Sequence, residues 1–268
     1  MKVLVIGGGN MGLTYAEGMV ESGYLNKRKL MIFDTSKQRR TMLAGNPKFE
    51  IFNQLSLCLP TADIVFIAVK PYHCKDLFKE MKVYVNEQQI FVSIMAGVSI
   101  ASMQSDLGVP KIVRAMPNLP AKIQKGVTSF TTTKAVSRVE VIMVRNLLDS
   151  TGVSIHVENE TFIDASTGIS GSGPAYVFYF MQSMMEAGLK LGFSYNDSKV
   201  LVSQTFEGAV SLFNEGDDSA KEWIDKVASK GGTTRAALDS MDENNIKDKI
   251  KEAAYAAVQR AVELGKEH

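Results

Sequence analysis

Val3-Leu4-Val5-Ile6-Gly7-Gly8-Gly9-Asn10-Met11-Gly12 opens the chain, and its reading decides the fold. Four apolar, mostly β-branched residues make a strand, and the pattern Gly7-x-Gly9-x-x-Gly12 stands between that strand and a helix expected over 13–21. Each glycine has a physical use there. Gly7 permits a tight turn, Gly9 lets backbone approach a pyrophosphate, and Gly12 lets helix and strand come close. Helix N–H groups then face the anion, so Gly7, Gly9, Asn10, Met11 and Gly12 are candidate dinucleotide-binding residues. The bland alternative is a glycine-rich turn that holds nothing. Asp34 weighs against it, because it ends a second strand roughly 20 residues after Gly12, where a carboxylate meets the adenosine ribose. Thr35, Ser36, Lys37, Arg39 and Arg40 follow. They either bind a ribose 2′-phosphate or form a solvated helix face, so the choice between NADPH and NADH stays open.

Working outward, short apolar runs at 3–6, 30–33, 64–69, 90–94, 112–115 and 153–157 alternate with helical segments. Such runs are those of parallel strands covered on both faces, hence a Rossmann-like doubly wound α/β sheet. Beyond Glu158 the β-branched runs stop, and helices are expected over 160–167, 174–191, 197–213, 221–228, 234–241 and 246–266. Two domains are therefore expected, 1–158 and an all-α 159–268, in line with a length of 268 residues. The stretch Pro174-Ala175-Tyr176-Val177-Phe178-Tyr179-Phe180-Met181 is apolar around the whole helix. A helical domain of about 110 residues encloses few such positions, which points to a subunit interface.

Composition excludes several classes. Thirty Lys+Arg against 29 Asp+Glu leave a net charge of +1, so no overall field favours nucleic acid or an anionic membrane. Gln182, Ser183, Glu186 and Lys190 interrupt the most apolar helix, against a membrane span. The chain enters a strand at once, without room for a signal peptide, and Cys58 and Cys74 form no CxxC pair. A cytoplasmic, reducing location is expected. His73, His156 and His268 fall in no triad or metal-ligand spacing, and no metal is expected.

Several dehydrogenase families join such a sheet to helices, so the later motifs decide the chemistry. β-Hydroxyacid dehydrogenases carry G-x-x-G-x-G-x-x-x-K near the start of the helical part. Gly168, Gly171 and Gly173 match it, but Val177 stands at the lysine position. A ketone or alcohol needs that positioned acid. Instead, behind the opening glycines, the chain carries Ala68-Val69-Lys70-Pro71, Met95-Ala96-Gly97, Arg114-Ala115-Met116-Pro117-Asn118-Leu119-Pro120-Ala121, Gly171-Ser172-Gly173-Pro174-Ala175-Tyr176 and Gly231-Gly232-Thr233-Thr234.

In this order and spacing the series resembles the pyrroline-5-carboxylate reductases over nearly the whole chain. The resemblance implies an NADPH- or NADH-dependent reduction of a five-membered cyclic imine to L-proline. It places Val69, Lys70, Pro71, Ala96, Gly97 and Asn118 near the nicotinamide half and Asn53 near the adenosine ribose. It implies a homodimer through the helical domain, with a higher assembly of dimers open. A protonated imine is already electrophilic, so hydride delivery needs a fixed pose and a carboxylate anchor more than a strong acid.

Gly231-Gly232-Thr233-Thr234, ahead of a helix, offers unpaired N–H groups for that carboxylate. By resemblance Thr234 is the catalytic hydroxyl at the ring nitrogen, with Ser229, Gly231, Gly232 and Thr233 around the substrate. The bland reading is that Thr233 merely caps the helix. Two positions depart from the family pattern: Lys230 stands where proline is usual, and Leu119 where a small hydroxyl residue is usual. The rival expectations are a reductase of a related imine or 2-oxo acid and a non-catalytic dinucleotide-binding paralogue.

Overall fold

An apolar residue at every position of a short strand leaves no face for water, and the central strands of this protein's sheet are buried at every residue. The structure, a computed structural model, describes residues 1–25 and 29–266; His268 lies outside the described residues. Its strands are β1 Val3–Ile6, β2 Leu30–Phe33, β3 Phe49–Phe52, β4 Ile64–Ile67, β5 Ile90–Ser93, β6 Ile112–Met116, β7 Gly126–Thr132 and β8 Gly152–His156. The helices of the first part are α1 Asn10–Glu21, α2 Lys37–Leu43, α3 Leu55–Cys58, α4 Cys74–Met81, α5 Ile100–Leu107, α6 Arg138–Leu148 and α7 Glu160–Ser166. After them come α8 Gly173–Lys190, α9 Tyr195–Glu215, α10 Ala220–Val227, α11 Thr233–Glu243 and α12 Ile246–Lys266.

The strands form one eight-stranded sheet in the order β3-β2-β1-β4-β5-β6-β7-β8. β1 lies between β2 and β4, parallel to both, with Val5 level with Ile32 on one side and Phe66 on the other. Strand alternation sends Val3 and Val5 into one core layer with Tyr15, Val92 and Phe130. Leu4 and Ile6 go into the other, with Phe78, Phe91 and Met103. This is the doubly wound α/β arrangement expected from the pattern.

Two strands go beyond that expectation, and one corrects it. β3 is four residues at the sheet edge, paired with β2. β7 runs antiparallel to β6, so the sheet is not parallel throughout. The chain reverses within the short turn 117–125, where Gln124 takes φ of 58° and the Lys125 N–H bonds the Pro120 carbonyl at 3.2 Å. A return to a parallel neighbour needs a much longer crossover. β7 hides its identity behind Thr and Ser, yet Thr128, Ser129 and Thr131 are buried. The Thr128 and Tyr15 hydroxyls share a hydrogen bond of 2.7 Å, and burial pushes the Tyr15 phenol up to about 12.

By its own contacts the chain divides into one unit made of Met1–Ser172 and the stretch from Ala256 onward, and a second, Gly173–Tyr255. The first unit runs past residue 158 because α7 is strapped to the sheet. Buried Arg114 of β6 donates Nη1 to Glu160 at 2.9 Å and Nη2 to Asp164 at 2.6 Å. Glu160 also accepts the Ile100 N–H at 2.9 Å. The last turns of α12 join the same unit at the turn after β5. There Gly97 has φ of +75°, and a Cβ on Gly265 would stand 3.3 Å from the Gly97 carbonyl oxygen.

The second unit is helical. α8 and α9 pack closely, and a Cβ at Gly188 would lie 2.8 Å from Ser198 Oγ. Phe180 and Phe206 meet edge to face at 5.7 Å between ring centroids. No residue of α8 is buried, and Val202 and Ala228 are the buried apolar residues between 173 and 255. Among the described residues no helix is long and apolar enough to cross a membrane.

Candidate dinucleotide cleft and substrate loop

The carboxyl ends of β1, β2, β4 and β5 open on a cleft of about 810 Å³. It lies where the chain order turns about β1, the crevice in which open α/β sheets bind ligands. The turn after β1 contributes Gly7, Gly9, Asn10 and Met11, the end of β2 Asp34 and Thr35, the end of β4 Val69, Lys70 and Pro71, and the end of β5 Ala96. α1 begins at Asn10, earlier than the pattern indicates, because Gly9 already acts as its N-cap in extended conformation. The first bond of the helix runs from the Leu13 N–H to the Gly9 carbonyl at 2.8 Å. The N–H groups of Asn10, Met11 and Gly12 therefore precede the ladder, the donors an anion takes at a helix start. A Cβ at Gly9 would meet nothing within 4 Å, whereas one at Gly12 would run into the Gly7 carbonyl oxygen. Open space over Gly9 and tight contact beneath Gly12 fit a dinucleotide pyrophosphate.

Asp34 is held from two sides. Its Oδ2 accepts the Gly8 N–H at 2.8 Å and its Oδ1 the Ser36 N–H at 2.7 Å. Arg40 Nη1 donates to the carbonyls of Asp34 and Thr35, at 2.8 and 2.7 Å, while Arg39 lines the cleft. Ser36 Oγ accepts the Arg39 N–H at 3.3 Å and so caps α2.

The remaining sequence candidates are not part of the cleft wall. Gly12 is buried in the first turn of α1, and Asn53 is exposed just after β3. Gly97 lies in the turn under α12. Asn118 is buried, and its Oδ1 accepts the Val127 N–H at 3.0 Å, which fixes the start of β7. The sequence reading missed His73, Asp76, Leu77 and Glu80, which also line the cleft, together with Lys122. Their spacing is that of one helix face, so α4 following Lys70-Pro71 was the signal. Leu119, singled out as a departure from the family pattern, lines the cleft too.

Ser229, Gly231, Gly232, Thr233 and Thr234 gather in the second unit, at the start of α11. Gly231 takes φ of +75°, and the Gly232 N–H bonds the Ser229 carbonyl at 3.1 Å. Gly232 is the N-cap and no side chain caps the helix, so Thr233 does not play the capping role. The first helical bond runs from the Ala236 N–H to the Gly232 carbonyl at 3.2 Å. That leaves the N–H groups of Thr233, Thr234 and Arg235 ahead of it, beside a half-buried Thr234. The structure thus brings most of the cofactor candidates around one cleft in the first unit, leaving Gly12, Ser36, Asn53, Gly97 and Asn118 off its wall, and the substrate candidates into one loop of the second. The two cysteines take no part: both are buried, and burial pushes the Cys58 thiol up to about 11 and the Cys74 thiol upward as well.

Family models match both parts of the chain. The family model for pyrroline-5-carboxylate reductase dimerisation matches residues 160–264, and that for NADP oxidoreductase, coenzyme F420-dependent, matches residues 2–97. A pyrroline-5-carboxylate reductase of Pseudomonas aeruginosa is 32% identical over 99% of this chain and 97% of its own. One of Aquifex aeolicus is 34% identical over 98% and 97%. Among solved structures, a pyrroline-5-carboxylate reductase of Coxiella burnetii superposes with a TM-score of 0.92 at 29% identity, covering 98% of each chain. A Plasmodium falciparum pyrroline carboxylate reductase with NADP bound gives 0.88 at 29%, covering 99% of this chain and 98% of that one.

Proposed function

The chain belongs to the pyrroline-5-carboxylate reductase family, and from that premise we propose how its residues share the reduction of L-1-pyrroline-5-carboxylate to L-proline. The enzyme is an NAD(P)H-dependent oxidoreductase of proline biosynthesis. The observation that carries the residue assignment is the cleft over the glycine turn, with Gly9 open to it and Asp34 on its rim.

Asn10, Met11 and Gly12 hold the pyrophosphate by backbone N–H groups, while Gly7, whose N–H is taken by the Phe33 carbonyl at 2.8 Å, and Gly9 give the turn its shape and its open face. Asp34, Thr35, Ser36 and Asn53 serve the adenosine ribose. Val69, Lys70, Pro71, Ala96 and Gly97 shape the nicotinamide end, and Asn118 acts there by fixing the backbone of β7. When bound, the dinucleotide supplies the hydride that reduces the imine carbon.

The N–H groups at the start of α11, within the loop Ser229, Gly231, Gly232, Thr233 and Thr234, anchor the substrate carboxylate. The Thr234 hydroxyl bonds the ring nitrogen, where the single proton of the reaction resides. Hydride at carbon and that proton at nitrogen complete the amine, so the residues need only hold the pose and the proton. Residues 1–158 serve the cofactor and 159–268 the substrate and the homodimer. The uncovered apolar surface of α8 faces a second copy, within the stretch that the dimerisation family model matches. A cytoplasmic location fits a biosynthetic enzyme.

The test is oxidation of NADPH and, separately, NADH by the purified protein with L-1-pyrroline-5-carboxylate, with proline measured as product. Proline formation is expected. Dinucleotide oxidation with another cyclic imine or a 2-oxo acid, but not with this substrate, would move the activity within the fold. Binding without any turnover would leave a non-catalytic dinucleotide-binding protein.

A further inference from the structure

At the end of β2 the cleft presents a carboxylate that cannot turn away. The Gly8 N–H holds Asp34 Oδ2 at 2.8 Å and the Ser36 N–H holds Oδ1 at 2.7 Å, fixing the group between the glycine turn and α2. Each carboxylate oxygen keeps a further lone-pair direction, enough to accept a ribose hydroxyl. A phosphate at the same place would meet a fixed negative charge, and like charges brought together are strongly unfavourable.

The groups that could offset that charge are mostly engaged elsewhere. Arg40 Nη1 is turned to the carbonyls of Asp34 and Thr35 at 2.8 and 2.7 Å, where it ties down the chain that carries the carboxylate. Ser36 Oγ caps α2 by accepting the Arg39 N–H at 3.3 Å, and Lys37 is exposed and not part of the cleft wall. Of Lys37, Arg39 and Arg40, the basic residues directly behind Asp34, Arg39 is the one that lines the cleft. A guanidinium is flat and weakly hydrated, suited to stack on a purine.

We propose that Asp34 makes this enzyme select NADH over NADPH, and that Arg39 serves the adenine ring and not a 2′-phosphate. The inference rests on the cleft being the dinucleotide site, as argued above. It adds which of the two dinucleotides the site is built to refuse.

The experiment titrates the full-length protein with NADH and with NADPH, without substrate, following nicotinamide fluorescence. NADH binds more tightly by about tenfold or more. Asp34→Ser abolishes that preference by tightening NADPH, and Arg39→Ala weakens both dinucleotides alike. Circular dichroism checks that each variant is folded, and Arg39→Ala reads the second half of the proposal if Asp34→Ser is not. Equal or tighter NADPH binding by the native protein overturns the proposal, as does an unchanged ratio in folded Asp34→Ser. A loss confined to NADPH in Arg39→Ala overturns it as well. Because binding is read apart from turnover, the expected ratio without proline formation sinks only the catalytic reading. Equal affinities with proline formation sink only this one, and no binding of either dinucleotide sinks both.

Discussion

β1 and the stretch 175–181 of α8 are both apolar at every position, yet β1 is buried throughout and α8 has no buried residue. The difference shows that apolarity states that a segment will be covered and leaves open by what. β1 is enclosed by its own chain, with a core layer on either face of the sheet. α8 shows Phe178 at 58% exposure and Tyr179 at 76% within the stretch matched by the dimerisation family model. The first is finished by folding; the second keeps apolar surface open, as a dimerisation domain requires.

The sharpest way to test the self-contained half is to cut its strap. Arg114→Ala leaves Glu160 and Asp164 without their buried cation and should cost about 3–5 kcal/mol in chemical denaturation. A loss under about 1 kcal/mol would mean that α7 is not held to the sheet by this group.

In the other half, Thr234→Ala should lower turnover by on the order of 100-fold while dinucleotide affinity stays near native, since the hydroxyl is assigned to substrate alone. Unchanged turnover removes Thr234 from the site. Phe178→Ala should weaken the dimer by about 2 kcal/mol, read by sedimentation at falling concentration. An unaltered dimer would show that this face of α8 is covered by something other than a second copy. The smallest effect returns to the sheet: Tyr15→Phe removes the buried bond to Thr128 and should lower stability by about 1 kcal/mol in the same denaturation assay. No change there would mean that water replaces the phenol.

Much of this architecture was legible in advance. The glycine turn, the carboxylate after β2 and the series of motifs are local in the chain, and their chemistry is carried by neighbouring residues. β3 was not legible because Phe-Glu-Ile-Phe is short and lies at an edge, with only its first residue buried. β7 was missed because its Thr and Ser residues are buried for reasons that lie elsewhere, such as Tyr15 far back in the sequence. The α4 face of the cleft, Asp76, Leu77 and Glu80, reads as an ordinary amphipathic helix until β4 places it over the crevice.

By itself the sequence determined the class of fold, the helical second half, the dinucleotide turn and the family, because period, glycine placement and ordered motifs act over a few residues at a time. Only the tertiary structure decided that β7 turns back against β6 and that Asn118 is engaged with the Val127 backbone. It alone showed that α7 and the end of α12 belong with the sheet, and that Arg40 faces backbone while Arg39 faces the cleft. Each of those outcomes depends on which distant group meets a donor, an acceptor or an apolar surface, and a linear pattern does not contain that partner.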